Sequence, residues 1–188
     1  MGISAGSMNS ADVAYIQPEE PGESAAEFER FAAQRGCKFR ADQTKKLFAA
    51  MASSRLIVLD GMGEKELMSF VRVLCAYFES DMFVDRVDET YTCNDRVLYG
   101  VDQNGYKTKT NVNMALSAAH NTRRNVHFAV LTNVLCSELP LYFTPYVNYA
   151  KNPLVNNLFV SLNQANEESS FYISQNVWFI LNLSADQS

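Results

Sequence analysis

The residues most suggestive of chemistry lie in a short glycine-containing turn between an apolar run and a helical pattern. The segment reads "LIVLDGMGEKEL" and places Gly61, Gly63 and Lys65 in the turn. A phosphate-binding loop has the same order of parts: the backbone N–H groups of G-x-x-x-x-G-K-[ST] hold phosphates, its lysine reaches the terminal phosphates and its hydroxyl binds magnesium. Glu66 stands where that hydroxyl belongs. The turn is therefore either an altered phosphate site or a connector of the kind common in α/β folds.

Cysteine and histidine lack the spacings of a metal or catalytic site. The chain has four cysteines and no C-x-x-C pair, so a zinc site is not expected. Cys75 and Cys136 fall in or beside apolar segments, as free thiols do in a reducing cytoplasm. His120 and His127 have no serine or cysteine nucleophile in a suitable sequence context. We therefore predict no catalytic residue and no bound metal.

Composition favours one domain without a general affinity for polyanions. The chain has 188 residues, of which 47% are hydrophobic, enough for one well-packed core. Its net charge of −5 arises within residues 1–30, which carry six acids and one arginine. A local basic patch could include Lys107, Lys109, Arg123 and Arg124, but a solvated surface is the simpler interpretation. Nucleic acid is therefore not indicated, and no apolar run is long enough to predict a membrane span.

The chain alternates between helical and strand patterns after an acidic lead-in. Residues 1–23 predict a mobile segment, and residues 24–188 a single domain beginning with a helix capped by Ser24. The helical patterns, in chain order, are "SAAEFERFAAQRG", "DQTKKLFAAMASS", "ELMSFVRVLCAYF", "NVNMALSAAHN" and "ELPLYFTPYVNYA". The core strands are predicted in Leu56–Leu59, "MFVDRVDETY", "VHFAVLTNV" and "VWFILNL", with a hairpin inserted before the last one. Uninterrupted apolar strands indicate a sheet covered on both faces, so we predict a three-layer α/β/α fold with a mostly parallel sheet.

From about Phe39 onward, this arrangement resembles the AAA+ domain of McrB-like subunits, the GTP-dependent motors of modification-directed restriction systems. The segments that carry the resemblance are "KKLFAAMASSRLIVLDGMGEKEL", "FVDRVDETYTCNDRVLYG", "VHFAVLTNVLCSELPLYFTPYV" and "QNVWFILNLSADQS". They correspond to the helix and strand that enter the phosphate loop, a segment ending in a leucine-glycine-tyrosine-like motif, a magnesium-site strand and a sensor strand. The resemblance therefore implies a P-loop NTPase-like fold.

Carried over residue by residue, the resemblance also implies that hydrolysis has been lost. The phosphate loop would be about two residues short, with Lys65 as its lysine. Thr132 and Asn133 occupy the positions of the acidic magnesium-site pair, and neither can act as an ionised base. The sensor asparagine corresponds to Ser184, or to Asn182 if the register slips by two.

Two functions follow from the resemblance. The first is a catalytically degenerate domain that serves as a structural or protein-interaction subunit of an intracellular, cytoplasmic assembly and needs no cofactor. The alternative is a fragment of a nucleotide-binding motor, in which Gly61, Gly63 and Lys65 still hold ATP or GTP with magnesium. The two hypotheses differ in whether nucleotide binds the glycine turn.

The resemblance also makes a prediction about the edge of the sheet. In the AAA+ family the strand order is five, one, four, three, two, and a helical lid follows. This sequence stops after the fourth strand, so we expect the fifth strand and the lid to be absent and Leu56–Leu59 to form an edge. An apolar edge is a template for strand pairing. We therefore expect it to be covered by residues 9–20, by a second copy of the chain or by a partner protein.

Overall fold

The computed structural model describes residues 21–60, 62–122, 125–151, 157–162 and 167–184. The helices in this part are α1 (Pro21–Gln34), α2 (Ala41–Ser53), α3 (Glu64–Tyr77), α4 (Asn111–Asn121), α5 (Leu139–Tyr142) and α6 (Thr144–Lys151), with a 3₁₀ helix at Asn94–Val97. The strands are β1 (Leu56–Leu59), β2 (Met82–Arg86), β3 (Tyr99–Val101), β4 (Lys107–Lys109), β5 (His127–Val134), β6 (Asn157–Leu162), β7 (Glu167–Tyr172) and β8 (Val177–Leu183). The first helix begins at Pro21, before the predicted cap at Ser24, because proline is well suited to the first turn of a helix.

Four parallel strands form the central sheet, in the order β1-β8-β5-β2. This is the order one, four, three, two expected for the predicted core strands. Nearly every residue of β5 and β8 is buried, in agreement with their uninterrupted apolar sequences. The predicted α/β fold with a parallel sheet is confirmed. Two antiparallel hairpins lie outside this sheet: β3–β4, which the sequence analysis did not predict, and β6–β7, which it did.

Helices cover both faces of the sheet and create two hydrophobic cores. On β5, Phe128 and Val130 belong to the core beneath α1, α2 and α3. The alternating residues Ala129 and Leu131 belong to the core beneath α4, α5 and α6. This alternation follows from the two-residue period of a strand. The result is the three-layer α/β/α arrangement.

Burial follows the apolar segments that predict the core, except at the edge of the sheet. Leu74, Phe128, Leu131 and Phe179, which lie in those segments, are fully buried. Leu59 is only partly buried, because β1 pairs on one side alone within the described sheet. Within the same part of the chain, no helix is both long and apolar enough to cross a membrane.

Candidate functional site

The glycine turn after β1 leads directly into α3, as the sequence predicts. Gly63 is the N-cap of α3 and has a φ of −64°, and Lys65 is an exposed residue of the first helical turn. Gly61 lies outside the described residues. The first backbone N–H groups of an α-helix have no intrahelical acceptor, and Gly63 has no side chain that could cap them. Among the described residues, the turn therefore presents unpaired donors at the carboxyl end of the sheet.

A β-bulge reshapes the neighbouring end of β5. Leu131 pairs with Leu181 and Val134 with Leu183, so Thr132 and Asn133 together face Asn182 alone. Asn133 has a φ of 58°, a left-handed conformation that asparagine tolerates better than most residues, and its Nδ2 donates to the Val87 carbonyl at 2.9 Å. Bulges of this kind redirect side chains beside functional sites.

These elements enclose a cleft of about 330 Å³ at the carboxyl ends of the sheet strands. Its lining residues are Met62, Gly63, Glu64, Arg86, Thr132, Asn133, Asn182, Leu183 and Ser184. The structure thus brings Gly63 together with Thr132, Asn133 and both candidate sensor residues. Lys65 is not among the lining residues. In open α/β sheets, ligands bind outside the carboxyl ends of the strands, which makes this cleft the candidate site.

The charged groups in the cleft are poorly suited to a polyphosphate. Glu64 lines the cleft from the first turn of α3, and Glu66 lies in the same turn. These carboxylates supply the negative charge that the positive end of a helix dipole favours. Arg86, which the sequence analysis missed, lies 3.6 Å from the Glu64 carboxylate. Both side chains are more than half exposed, so this ion pair contributes little to stability, but it places a carboxylate beside the cleft's arginine.

Asn182 links the last core strand to the glycine turn. Its Nδ2 donates to the Met62 carbonyl at 3.3 Å, which fixes the orientation of the side-chain amide. Its Oδ1 is buried and has no hydrogen-bond partner among the described residues, and Asn182 is only 6% exposed. Sequence reasoning identified Asn182 as one of two sensor candidates but could not identify the contact with the turn.

The histidines and cysteines do not converge on this cleft. His127 begins β5, at the opposite end of the sheet, where burial lowers its pKa and its Nε2 lies 2.8 Å from Thr122 Oγ1. Burial raises the pKa of Cys75 to about 12, so its thiol is inert. Burial, followed by a hydrogen bond to Asp95, also raises the pKa of Cys93. Among the described residues, no cluster of histidine, cysteine, aspartate or glutamate could hold a metal.

The four residues considered as a basic patch lie only partly within the described chain. Lys107 and Lys109 are exposed on β4, and the Lys107 ammonium lies 4.0 Å from the centre of the Tyr99 ring. Arg123 and Arg124 lie outside the described residues, as does the apolar segment within residues 9–20. The part of the patch that the structure describes is a lysine-bearing hairpin.

The fold and the cleft define a three-layer α/β protein with a candidate site at the carboxyl end of a parallel sheet. No protein-family model matches the chain, and a search of curated proteins finds no match either.

Proposed function

We propose that this chain is a catalytically degenerate, AAA+-like domain that serves as a structural or protein-interaction subunit of a cytoplasmic assembly. The observation that carries the proposal is the chemistry of the cleft. Phosphoryl transfer needs a metal-binding hydroxyl and acid at the phosphate loop, together with a group that activates the nucleophile. The cleft instead presents Glu64 from the helix and uncharged Thr132 and Asn133 from β5. A fold can retain interaction surfaces after its site has lost activity.

The surface best suited to a protein partner is the edge of β1. In a parallel pair, every second residue of a strand directs both its N–H and its C=O toward the neighbouring strand. The Phe179 N–H donates to the Arg55 carbonyl, so the N–H and C=O of Val58, three residues later, point away from β8. The Val58 side chain is 50% exposed. The Leu56 N–H is bonded to Ser54 Oγ at 3.0 Å, which leaves a short edge centred on Val58. Such an edge fits the addition of one strand from a partner or a second copy.

The edge is tested by light scattering on the protein and on Val58→Lys. We expect the protein to form a dimer or a partner complex that Val58→Lys disrupts, because a charged lysine on an edge strand disfavours pairing with another strand. Val101→Lys is the matched control, since Val101 is an equally exposed valine on β3. Neither substitution should change the melting temperature of the monomer.

Hydrogen exchange at the Val58 N–H separates the remaining outcomes. Slow exchange in a monomer would mean that the chain covers its own edge, as a strand from residues 9–20 would do. Fast exchange in a monomer that binds no partner would contradict the interaction proposal. If residues 9–20 supply the covering strand, deletion of residues 1–20 should accelerate hydrogen exchange at the Val58 N–H.

The alternative function is nucleotide binding by a fragment of a motor subunit. It is favoured by the position of the cleft and by the uncapped N-terminus of α3. A thermal-shift titration with ATP and GTP plus magnesium discriminates between the two functions. Nucleotide at 100 times its Kd would stabilise the protein by about 2.7 kcal/mol. We expect no shift and no hydrolysis; turnover that is lost in Lys65→Ala would overturn the degenerate-domain proposal.

A further inference from the structure

One lining residue of the cleft carries a hydrogen-bond acceptor that no group among the described residues satisfies. Asn182 Oδ1 is buried without a partner, while Nδ2 of the same amide is held by the Met62 carbonyl. Exchanging the oxygen and nitrogen would place two oxygens against each other, so the hydrogen bond to Met62 determines the orientation. A buried acceptor without a partner is uncommon in a folded protein. A ligand that brings an N–H or O–H donor would satisfy it.

Unpaired donors lie on the neighbouring side of the same cleft. The first N–H groups of α3 have no side-chain cap, because the N-cap residue is Gly63. A Cβ built on Gly63 would meet nothing within 4 Å, so there is open space at this helix end. The cleft thus combines donors from α3 with the acceptor of Asn182. A matching ligand has a carbonyl and an N–H side by side.

The charges in the cleft select against ionic ligands. An anion would meet the Glu64 carboxylate, which already lies beside Arg86. A fully ionised carboxylate also has no donor for Asn182 Oδ1. A cation would face the positive end of the α3 dipole. The two opposite charges in the cleft already pair with each other, so neither is left over for an ionic ligand, whereas an uncharged ligand needs no such partner.

We propose that the cleft binds a small, uncharged molecule bearing a carboxamide or lactam group. The carbonyl of the ligand accepts from the first N–H groups of α3, and its N–H donates to Asn182 Oδ1. The volume of about 330 Å³ lies at the lower end of the range for small-molecule sites. Oδ1 is shielded from solvent, so this hydrogen bond requires the ligand to displace the turn at Met62 and Gly63. This site does not depend on the β1 edge, so either proposal can fail without the other.

The test uses two probes with the same ring and nearly the same shape. Nicotinamide carries the neutral carboxamide, whereas nicotinate carries a carboxylate without a donor. In a two-dimensional NMR titration, we expect nicotinamide to shift the backbone signals of Met62, Gly63 and Glu64 and the side-chain amide of Asn182. We expect nicotinate to leave them unchanged. Equal shifts with both probes, or no shift with nicotinamide at millimolar concentration, would overturn the proposal.

Substitutions at Asn182 and Gly63 test the acceptor and the donors of the site separately. Asn182→Leu removes the acceptor and should weaken nicotinamide binding about tenfold. Asn121→Leu is the matched control at an exposed position of α4 and should bind as the original chain does. Gly63→Ser keeps the fold but supplies a hydroxyl that competes for the α3 N–H groups, so it should also weaken binding. Unchanged nicotinamide affinity in Gly63→Ser would contradict the site even if Asn182→Leu failed to fold.

Discussion

The carboxylate of Asp85 accepts a 2.8 Å hydrogen bond from the backbone N–H of Val112, which joins the end of β2 to the first turn of α4. The same carboxylate accepts from the backbone and side-chain nitrogens of Asn111 at 3.2 and 2.9 Å. Thr110 caps the helix as well, through its hydrogen bond from the Asn113 N–H. Asp85 therefore satisfies backbone donors that the N-cap residue does not reach.

Replacing Asp85 should destabilise the fold through the loss of these bonds. We expect Asp85→Ala to lower the free energy of unfolding by about 1.5–3 kcal/mol, because hydrogen bonds to a charged acceptor contribute that much. Urea melts measure the change. Glu89→Ala is the control, since Glu89 is exposed and such surface changes cost less than about 0.5 kcal/mol. Equal effects of the two substitutions would contradict a capping role for Asp85.

Leu131 and Lys65 should differ sharply in their importance for stability. Leu131 is fully buried in the middle of the sheet, and Leu131→Ala should cost about 2–5 kcal/mol because it leaves a cavity. Lys65 is exposed on α3, so Lys65→Ala should cost almost nothing. Urea melts of both variants test the contrast. If the two losses were similar, the glycine turn would have a structural role that its exposure does not indicate.

The glycine at the start of α3 should tolerate a side chain. Gly63 has a negative φ and open space around its missing Cβ. Gly63→Ser should therefore stabilise the protein by about 0.2–0.5 kcal/mol through a new N-cap hydrogen bond. Gly105→Ser is the matched control at a φ of 83°, and it should lower stability by about 1 kcal/mol in thermal melts. Strong destabilisation by Gly63→Ser would mean that this turn requires glycine.

His127 should make stability depend on pH below its ordinary pKa. Burial lowers the folded-state pKa from 6.5, so the unfolded chain binds a proton at a higher pH than the folded chain does. Stability is therefore fully present above about pH 6.5 and declines as the pH falls toward the folded-state pKa, by at most about 1.4 kcal/mol per unit.

Urea melts between pH 7 and 5 measure the contribution of His127. We expect His127→Gln to reduce the loss of stability across this range relative to the original chain. His120→Gln is the control, because His120 is an exposed histidine on α4. An unchanged slope in His127→Gln would show that other groups cause the dependence.

The amino-acid sequence predicted the sheet well because burial leaves a local signal. The apolar runs of β5 and β8 indicated strands covered on both sides, and the structure places them at the centre of the sheet. The apolar face of α3 likewise has the helical period of a packed surface. Periodicity of this kind is visible in one segment at a time, so no knowledge of distant residues is required.

Only the tertiary structure decided which polar groups share a site. Arg86 lies beside Glu64, and Asn182 reaches Met62 across 120 residues of chain, because parallel strands bring their carboxyl ends to one edge. The bulge at Thr132 and Asn133 was equally hidden, since it depends on the register of β5 against β8. The sequence by itself determined the layers and the apolar character of the core strands. The contacts in the cleft depend on sheet order and register, which arise when distant segments pack together.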